Sequence, residues 1–251
     1  MSTLETRKIE PLSGTTVTLG AAGDAVTMPA GVTFKTNTVK DAGGNTLWTS
    51  DGSGNVSSVN AGLKNGMTFI SSQTALAAMN VSSISFTSGI DSTYDEYVFY
   101  FVNMNPSVGG SGTDGPQFQW QCNASGQSGF NETITSTAFG SYHRENASGT
   151  TIGYQASSDQ AQGTSYQNIF TNQGSESDQG ACGELHVYNP SSTTYAKQFT
   201  CRAQWSNDDE PPFSWQLFTD GYVNTTTAVT QFDFKMSSGT LSGTIYLYGI
   251  S

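Results

Sequence analysis

Charged side chains are scarce in this sequence, at 12% Asp, Glu, Lys and Arg, and histidine is scarcer still, with two residues among 251. General acid–base and nucleophilic catalysis need a titratable partner beside the reacting group, and His143 and His186 are the only imidazoles on offer. His186 falls inside an alternating strand pattern and His143 at a strand end. Neither lies in a catalytic motif, so both read as structural or exposed residues. Gly-rich phosphate loops, zinc-ligand spacings and nucleophile elbows are missing too. The expectation is a protein that is not an enzyme and holds no cofactor, although a pair of glycoside-cleaving carboxylates would leave no trace in one sequence.

Cysteine is also sparse. Cys122, Cys182 and Cys201 are odd in number and form no C-x-x-C pair, and Cys122 and Cys201 sit in alternating apolar patterns, so reduced, buried thiols are expected. Apolar runs approaching the ~20 residues of a membrane span are absent, and the start MSTLETRKIEPLSG lacks the apolar core of a signal peptide. Synthesis in a cytosol without membrane insertion is the expectation. Six Asn-x-Ser/Thr triplets read as a by-product of a chain crowded with Asn, Ser and Thr.

What is present is unevenly spread. Residues 1–64 have Phe34 and Trp48 as their only aromatics, so the large core belongs to the rest, which holds the other 27. Charge divides at the same place, with five basic and five acidic residues before it and four basic against fifteen acidic after it. The net charge of −11 therefore resides in the C-terminal part, which speaks against nucleic acid, since phosphate is bound through Lys and Arg. The expected organisation is an attachment and trimerisation segment at 1–65, a connector at 66–81 and a β-sandwich domain at 82–251.

In the first segment Val17-Thr18-Leu19, Val26-Thr27-Met28 and Val32-Thr33-Phe34 each put apolar residues on one face of a short strand beside Gly or Pro. A second near-repeat follows in Gly44-Asn45-Thr46-Leu47-Trp48 and Gly54-Asn55-Val56-Ser57-Ser58-Val59. Such short strands cannot enclose a core in one chain but can when several copies wind together. Attachment and trimerisation are thus assigned to Val17, Leu19, Val26, Met28, Val32 and Phe34, with Arg7, Lys8 and Ile9 near the start. In the connector, SSQTALAAMN at 71–80 combines serine N-cap candidates with Ala, Leu and Met and predicts a short helix.

From Val81 onward strand patterns succeed one another at 81–86, 96–102, 118–122, 136–143, 165–170, 183–189, 199–205, 214–218, 231–236 and 244–249. Turn-rich joins between short strands predict an all-β, jelly-roll-like sandwich. EYVFYFV at 96–102 is apolar on both faces and belongs at a sheet centre. The polar loops at 107–116 and 172–180 are expected at the sandwich ends, where binding sites are usually built. Asp208, Asp209 and Glu210 before Pro211 and Pro212 are the densest carboxylate cluster and the one Ca²⁺ candidate; a solvated acidic loop is the plainer reading. Asp51-Gly52-Ser53-Gly54-Asn55 imitates an EF-hand start, but Gly62 stands where the closing Glu is required. Tyr94, Tyr97, Tyr142, Tyr154, Tyr166, Tyr188 and Tyr195 offer broad, polar-tipped contact area for a sugar or a partner.

The stretch RKIEPLSGTTVTLG at 7–20 resembles the starts of structural proteins of marine tailed bacteriophages, cyanophages included. SGIDSTYDEY at 88–97, GELH at 183–186, NPS at 189–191 and GTIYLYGI at 243–250 are similar to the C-terminal half of the same group. That resemblance implies a virion protein of the tail-fibre type: a homotrimer made in the bacterial host, held to other virion proteins by its N-terminal segment, with the sandwich free to meet a host-surface glycan or protein. A capsid decoration or head-fibre protein is the alternative, and a polysaccharide-degrading spike the third.

Overall fold

The structure, a computed structural model, describes residues 36–60, 66–108, 115–176, 178–207, 209 and 211–251. The chain divides into two compact units, Met1–Asn60 and Ala61–Ser251. The triplets at 17–34, together with Arg7, Lys8 and Ile9, lie outside the described residues.

The described part of the first unit is a three-stranded antiparallel meander, β1 (Thr38–Lys40), β2 (Thr46–Ser50) and β3 (Val56–Val59). Its two turns are built alike, ten residues apart. Asp41 accepts the Asn45 backbone N–H at 2.8 Å, and Asp51 accepts those of Ser53 at 2.7 Å and Asn55 at 3.2 Å. Each carboxylate also takes the Asn side-chain amide, and these bonds hold both Asp pKa values below the usual carboxylate value. Asp51 thus closes its own turn. Val39 pairs with Trp48 and Trp48 with Val59, which aligns three apolar, half-buried side chains on one face of the meander.

The second unit holds two antiparallel sheets. Its strands are β4 (Met67–Ala75), β5 (Ser83–Phe86), β6 (Glu96–Pro106), β7 (Phe118–Ala124), β8 (Ile134–Arg144), β9 (Thr150–Tyr154), β10 (Gln167–Phe170), β11 (Ala181–Tyr188), β12 (Lys197–Asn207), β13 (Phe213–Val223), β14 (Val229–Met236) and β15 (Leu241–Ile250). All ten strands expected from 81 onward are present, longer at most ends; β9 was not foreseen. The small sheet has the order β10-β7-β14-β5 and the large one β4-β15-β6-β11-β12-β13-β8-β9.

Eight of these strands pair in a nested way. The first meets the last (β4 with β15), the second the second from last (β5 with β14), then β6 meets β11 and β7 meets β10. Two hairpins interrupt that scheme: β8–β9 is inserted between β7 and β10, and β12–β13 follows β11. They meet along β8 and β13 and widen the large sheet to eight strands. The strands β8 and β13 approach closely at Gly221, where a Cβ would lie 2.3 Å from the Thr135 carbonyl oxygen.

Alternation decides which side chains enter the core. Tyr97, Phe99 and Phe101 of β6 face Phe118 and Trp120 of β7 and Phe232 and Phe234 of β14, all buried. Ring contacts bridge the sheets: Phe99 to Phe232 and to Phe234 at 5.0 Å, Trp120 to Phe199 at 4.9 Å and Phe170 to Trp205 at 5.7 Å. Truncating such a ring costs about 3–5 kcal/mol, because the surroundings cannot refill the space. The strand read as apolar on both faces does lie inside the large sheet, between β15 and β11.

The helix expected over 71–80 is not formed. Residues 67–75 are strand β4, paired along β15, and only Ala77–Met79 turn, as a 3-10 helix. The compact unit accordingly includes what was expected to be a connector.

Candidate functional site

The two outer faces of this unit differ in kind. Outside the small sheet, amide side chains satisfy one another and the 155–166 loop. Gln119 donates to Asn168 at 2.8 Å, Gln121 to the Glu132 carbonyl at 3.0 Å and Gln167 to the Ser158 carbonyl at 2.6 Å. Asp233, buried there, accepts from Ser85 at 2.5 Å and Tyr166 at 2.9 Å, and the Lys235 ammonium sits 4.0 Å from the Tyr166 ring centroid. Burial first, then the bond to Asp233, pushes the Tyr166 phenol well up. Most polar groups of that face are committed to internal contacts, and a depression of about 270 Å³ beside Gln117, Gln119, Ser157 and Asp159 has no ring but Tyr166 in its lining.

The large sheet's outer face is open. Its register lines up one residue from every strand: Ser72, Tyr246, Tyr100, Glu184, Arg202, Phe218, Phe139 and Tyr154. Strands lie about 4.8 Å apart, so the row runs about 34 Å. A central Glu–Arg pair of positions is flanked by two tyrosines on one side and three rings on the other. Phe139 and Phe218 stack at 4.9 Å with planes 10° apart. On the opposite flank Tyr248 makes edge contacts to Tyr100 at 5.8 Å and Phe69 at 5.5 Å. Rings standing on paired strands are held in place and bring contact area at little conformational cost.

The adjacent row brings His186 and Asp220 to the centre through Val98, His186, Thr200 and Asp220. His186 stands between two carboxylates: its Nδ1 contacts Glu96, and its Nε2 lies 3.6 Å from Glu184. Val98, outward on β6, is nevertheless fully buried. Tyr100 keeps its phenol proton more firmly than a free tyrosine, because burial and then the Glu184 and Glu96 charges oppose ionisation. Two depressions flank the Glu184–Arg202 pair. One of about 380 Å³ is walled by Tyr100, Val102, Cys182 and Gln204, the other of about 290 Å³ by His186, Tyr188, Phe218 and Asp220. A larger cleft of about 700 Å³ opens beside Asn103, Asn105, Gln179 and Ser242, but no ring is among its lining residues.

The sequence-derived candidates fall as follows. Asp209, the described member of the acidic cluster, lies 3.8 Å from the Arg144 guanidinium, while Asp208 and Glu210 are outside the described residues. Among the described residues no group of three or more His, Cys, Asp or Glu is placed to hold a metal. Of the seven tyrosines, Tyr97 is buried, its OH donating to the Asp91 carbonyl at 3.0 Å, and Tyr94 packs on it at 5.8 Å. Tyr142 lies against Phe213 and Trp215, and Tyr166 serves Asp233. Tyr154 and Tyr188 belong to the open face, and Tyr195 is exposed in the loop before β12. Tyr100, Tyr246, Glu184, Arg202 and Phe218 were missed. Alternation already places them outward, but which strands lie side by side is not written in any local pattern.

The 107–116 and 172–180 loops do meet, Gln173 N–H donating to the Pro116 carbonyl at 3.4 Å. No family model matches the chain, and neither the curated proteins nor the solved structures contain a match.

Proposed function

We propose that this chain is a structural protein of a tailed-phage particle, a trimeric fibre or fibre-like appendage whose C-terminal unit is a jelly roll that meets the host surface. The observation that carries the recognition role is the row of rings and charges across all eight strands of the open sheet. The jelly-roll reading rests on the nested pairing: a ribbon of antiparallel strands curled until its two ends meet in both sheets gives that pattern, which is shared by capsid and lectin domains. Attachment falls to the N-terminal segment, poor in large side chains and resembling phage virion proteins over 7–20. The Val39–Trp48–Val59 stripe supports a shared stalk, since among the described residues the meander is a single layer that leaves this apolar stripe half-exposed.

Deletion of residues 1–20 tests the arrangement. In a phage lacking the gene, the truncated protein is expected to stay out of particles, while the full-length protein restores incorporation and host adsorption. The purified chain should have three times the 26.6 kDa chain mass by light scattering. A monomer refutes the shared stalk. Localisation to the head, with adsorption unchanged by the missing gene, would favour capsid decoration.

A further inference from the structure

We infer that the outer face of the eight-stranded sheet binds an uncharged oligosaccharide, laid across the strands with one sugar in each depression beside Glu184 and Arg202. The inference rests on the recognition role proposed above and names its ligand class.

The first support is the alternation of chemistry along the row. Pyranose rings present patches of C–H on one face and hydroxyls around the edge, and this surface offers the complement of both. Tyr100 and Phe218 supply apolar ring faces, one in the wall of each depression, while Glu184, Arg202, Gln204, Thr200 and Asp220 supply donors and acceptors between and beside them. The Arg202 guanidinium, exposed and opposite Glu184 in register, makes no ion pair or hydrogen bond among the described residues, so its donors face solvent. At about 380 and 290 Å³ the depressions lie near the small end of the usual range for small-ligand sites, about 300–1,000 Å³.

The second support is charge. Glu96, Glu184 and Asp220 outnumber Arg202 on this face, and the C-terminal part carries the whole net charge of −11. Polyanionic glycans and nucleic acid are repelled by such a surface. A dry protein interface is equally ill-suited, since its centre is normally depleted of charge, whereas here Glu184, Arg202, His186 and Asp220 occupy the centre. A neutral ligand rich in hydroxyls satisfies both conditions. The rings stand on hydrogen-bonded strands, so little ordering is required on binding.

The experiment uses the full-length protein on a printed array of neutral, N-acetylated and anionic oligosaccharides, followed by titration calorimetry with the best neutral hit. Binding to neutral structures is expected, with affinity reduced at least tenfold in Tyr100→Ala and in Phe218→Ala. Tyr195→Ala, outside the lining of both depressions, should bind as wild type, and unchanged circular dichroism and melting would show that the variants are folded. Lys197 and the ring core are left untouched. Binding confined to anionic glycans, no binding at all, or neutral binding indifferent to both ring variants would overturn the inference. Failure here is separable from failure of the virion reading: a protein that enters particles and competes for host adsorption, yet ignores every neutral glycan, leaves that reading standing and removes this one.

Discussion

Lys197 shows how one residue ties the unit together. It opens β12 with its side chain fully buried, and its Nζ donates to the carbonyls of Ser192 at 2.6 Å, Tyr195 at 2.7 Å and Thr225 at 3.2 Å. Three carbonyl dipoles thus stand where a carboxylate would be expected, joining the turn before β12 to the one after β13. Replacing it with the similarly long Met leaves buried acceptors without a donor, at about 1–3 kcal/mol for such a group. Burial lowers the ammonium pKa from its ordinary 10.5. Between the lowered folded value and the unfolded one, the unfolded chain binds more protons, so the residue's contribution to stability rises with pH. Urea denaturation at stepped pH should therefore show the gap between wild type and Lys197→Met widening as pH approaches 10.5. A gap that narrows would show that the three carbonyl contacts outweigh burial and raise the ammonium pKa instead.

Among the elements, β4 is the most instructive. Ala75 to Met79 are good helix formers, and Ser71 and Ser72 resemble N-caps, so local propensity favours a helix there. Pairing with β15, some 170 residues away, as the Thr74–Thr244 hydroxyl contact at 3.0 Å illustrates, overrides that preference. β4 also covers the edge of β15, whose backbone groups would otherwise be open to association. A fragment of residues 66–251 should therefore melt cooperatively, while one of residues 82–251 should melt at lower temperature and aggregate. Differential scanning calorimetry with light scattering distinguishes them. Equal, reversible melts would mean that β4 is dispensable. The strand's outward Met67 and Phe69, 44% and 54% exposed, extend the aromatic flank of the open face.

At the scale of the molecule, nesting the first strand against the last makes seven of the ten strand pairings in the second unit long-range. Loop closure must precede most of the stabilising contacts, which slows folding. Refolding of residues 66–251 from urea, followed through buried Trp120 and Trp205, should occupy about milliseconds to seconds or longer. A single sub-millisecond phase would show that local hairpins such as β12–β13 carry most of the barrier. Charge acts at this scale too. With few cations to compensate it, the acidic surface works against self-association of the domain, which is the reason the proposed trimer contacts are placed on the nearly neutral N-terminal segment.

Local chemistry made the strand series and the placement of the core aromatics legible in the sequence. Alternation at Phe232, Phe234 and Met236, or at Phe199, Cys201 and Ala203, depends only on the two-residue period of an extended chain. Turn chemistry at Asp41–Asn45 and Asp51–Asn55 is equally local, which is why the near-repeat of residues 44–48 and 54–59 was visible as strands. Strand neighbours were not legible, because hydrogen-bonded partners far apart in the chain leave no mark on either segment's pattern. Only the tertiary structure set Tyr100 beside Glu184, Glu184 beside Arg202 and Arg202 beside Phe218, and turned the expected helix at 71–80 into an edge strand. The face from which function is argued is a property of register, and register is fixed when two apolar sheet faces close on one core and every outward residue takes the place left to it.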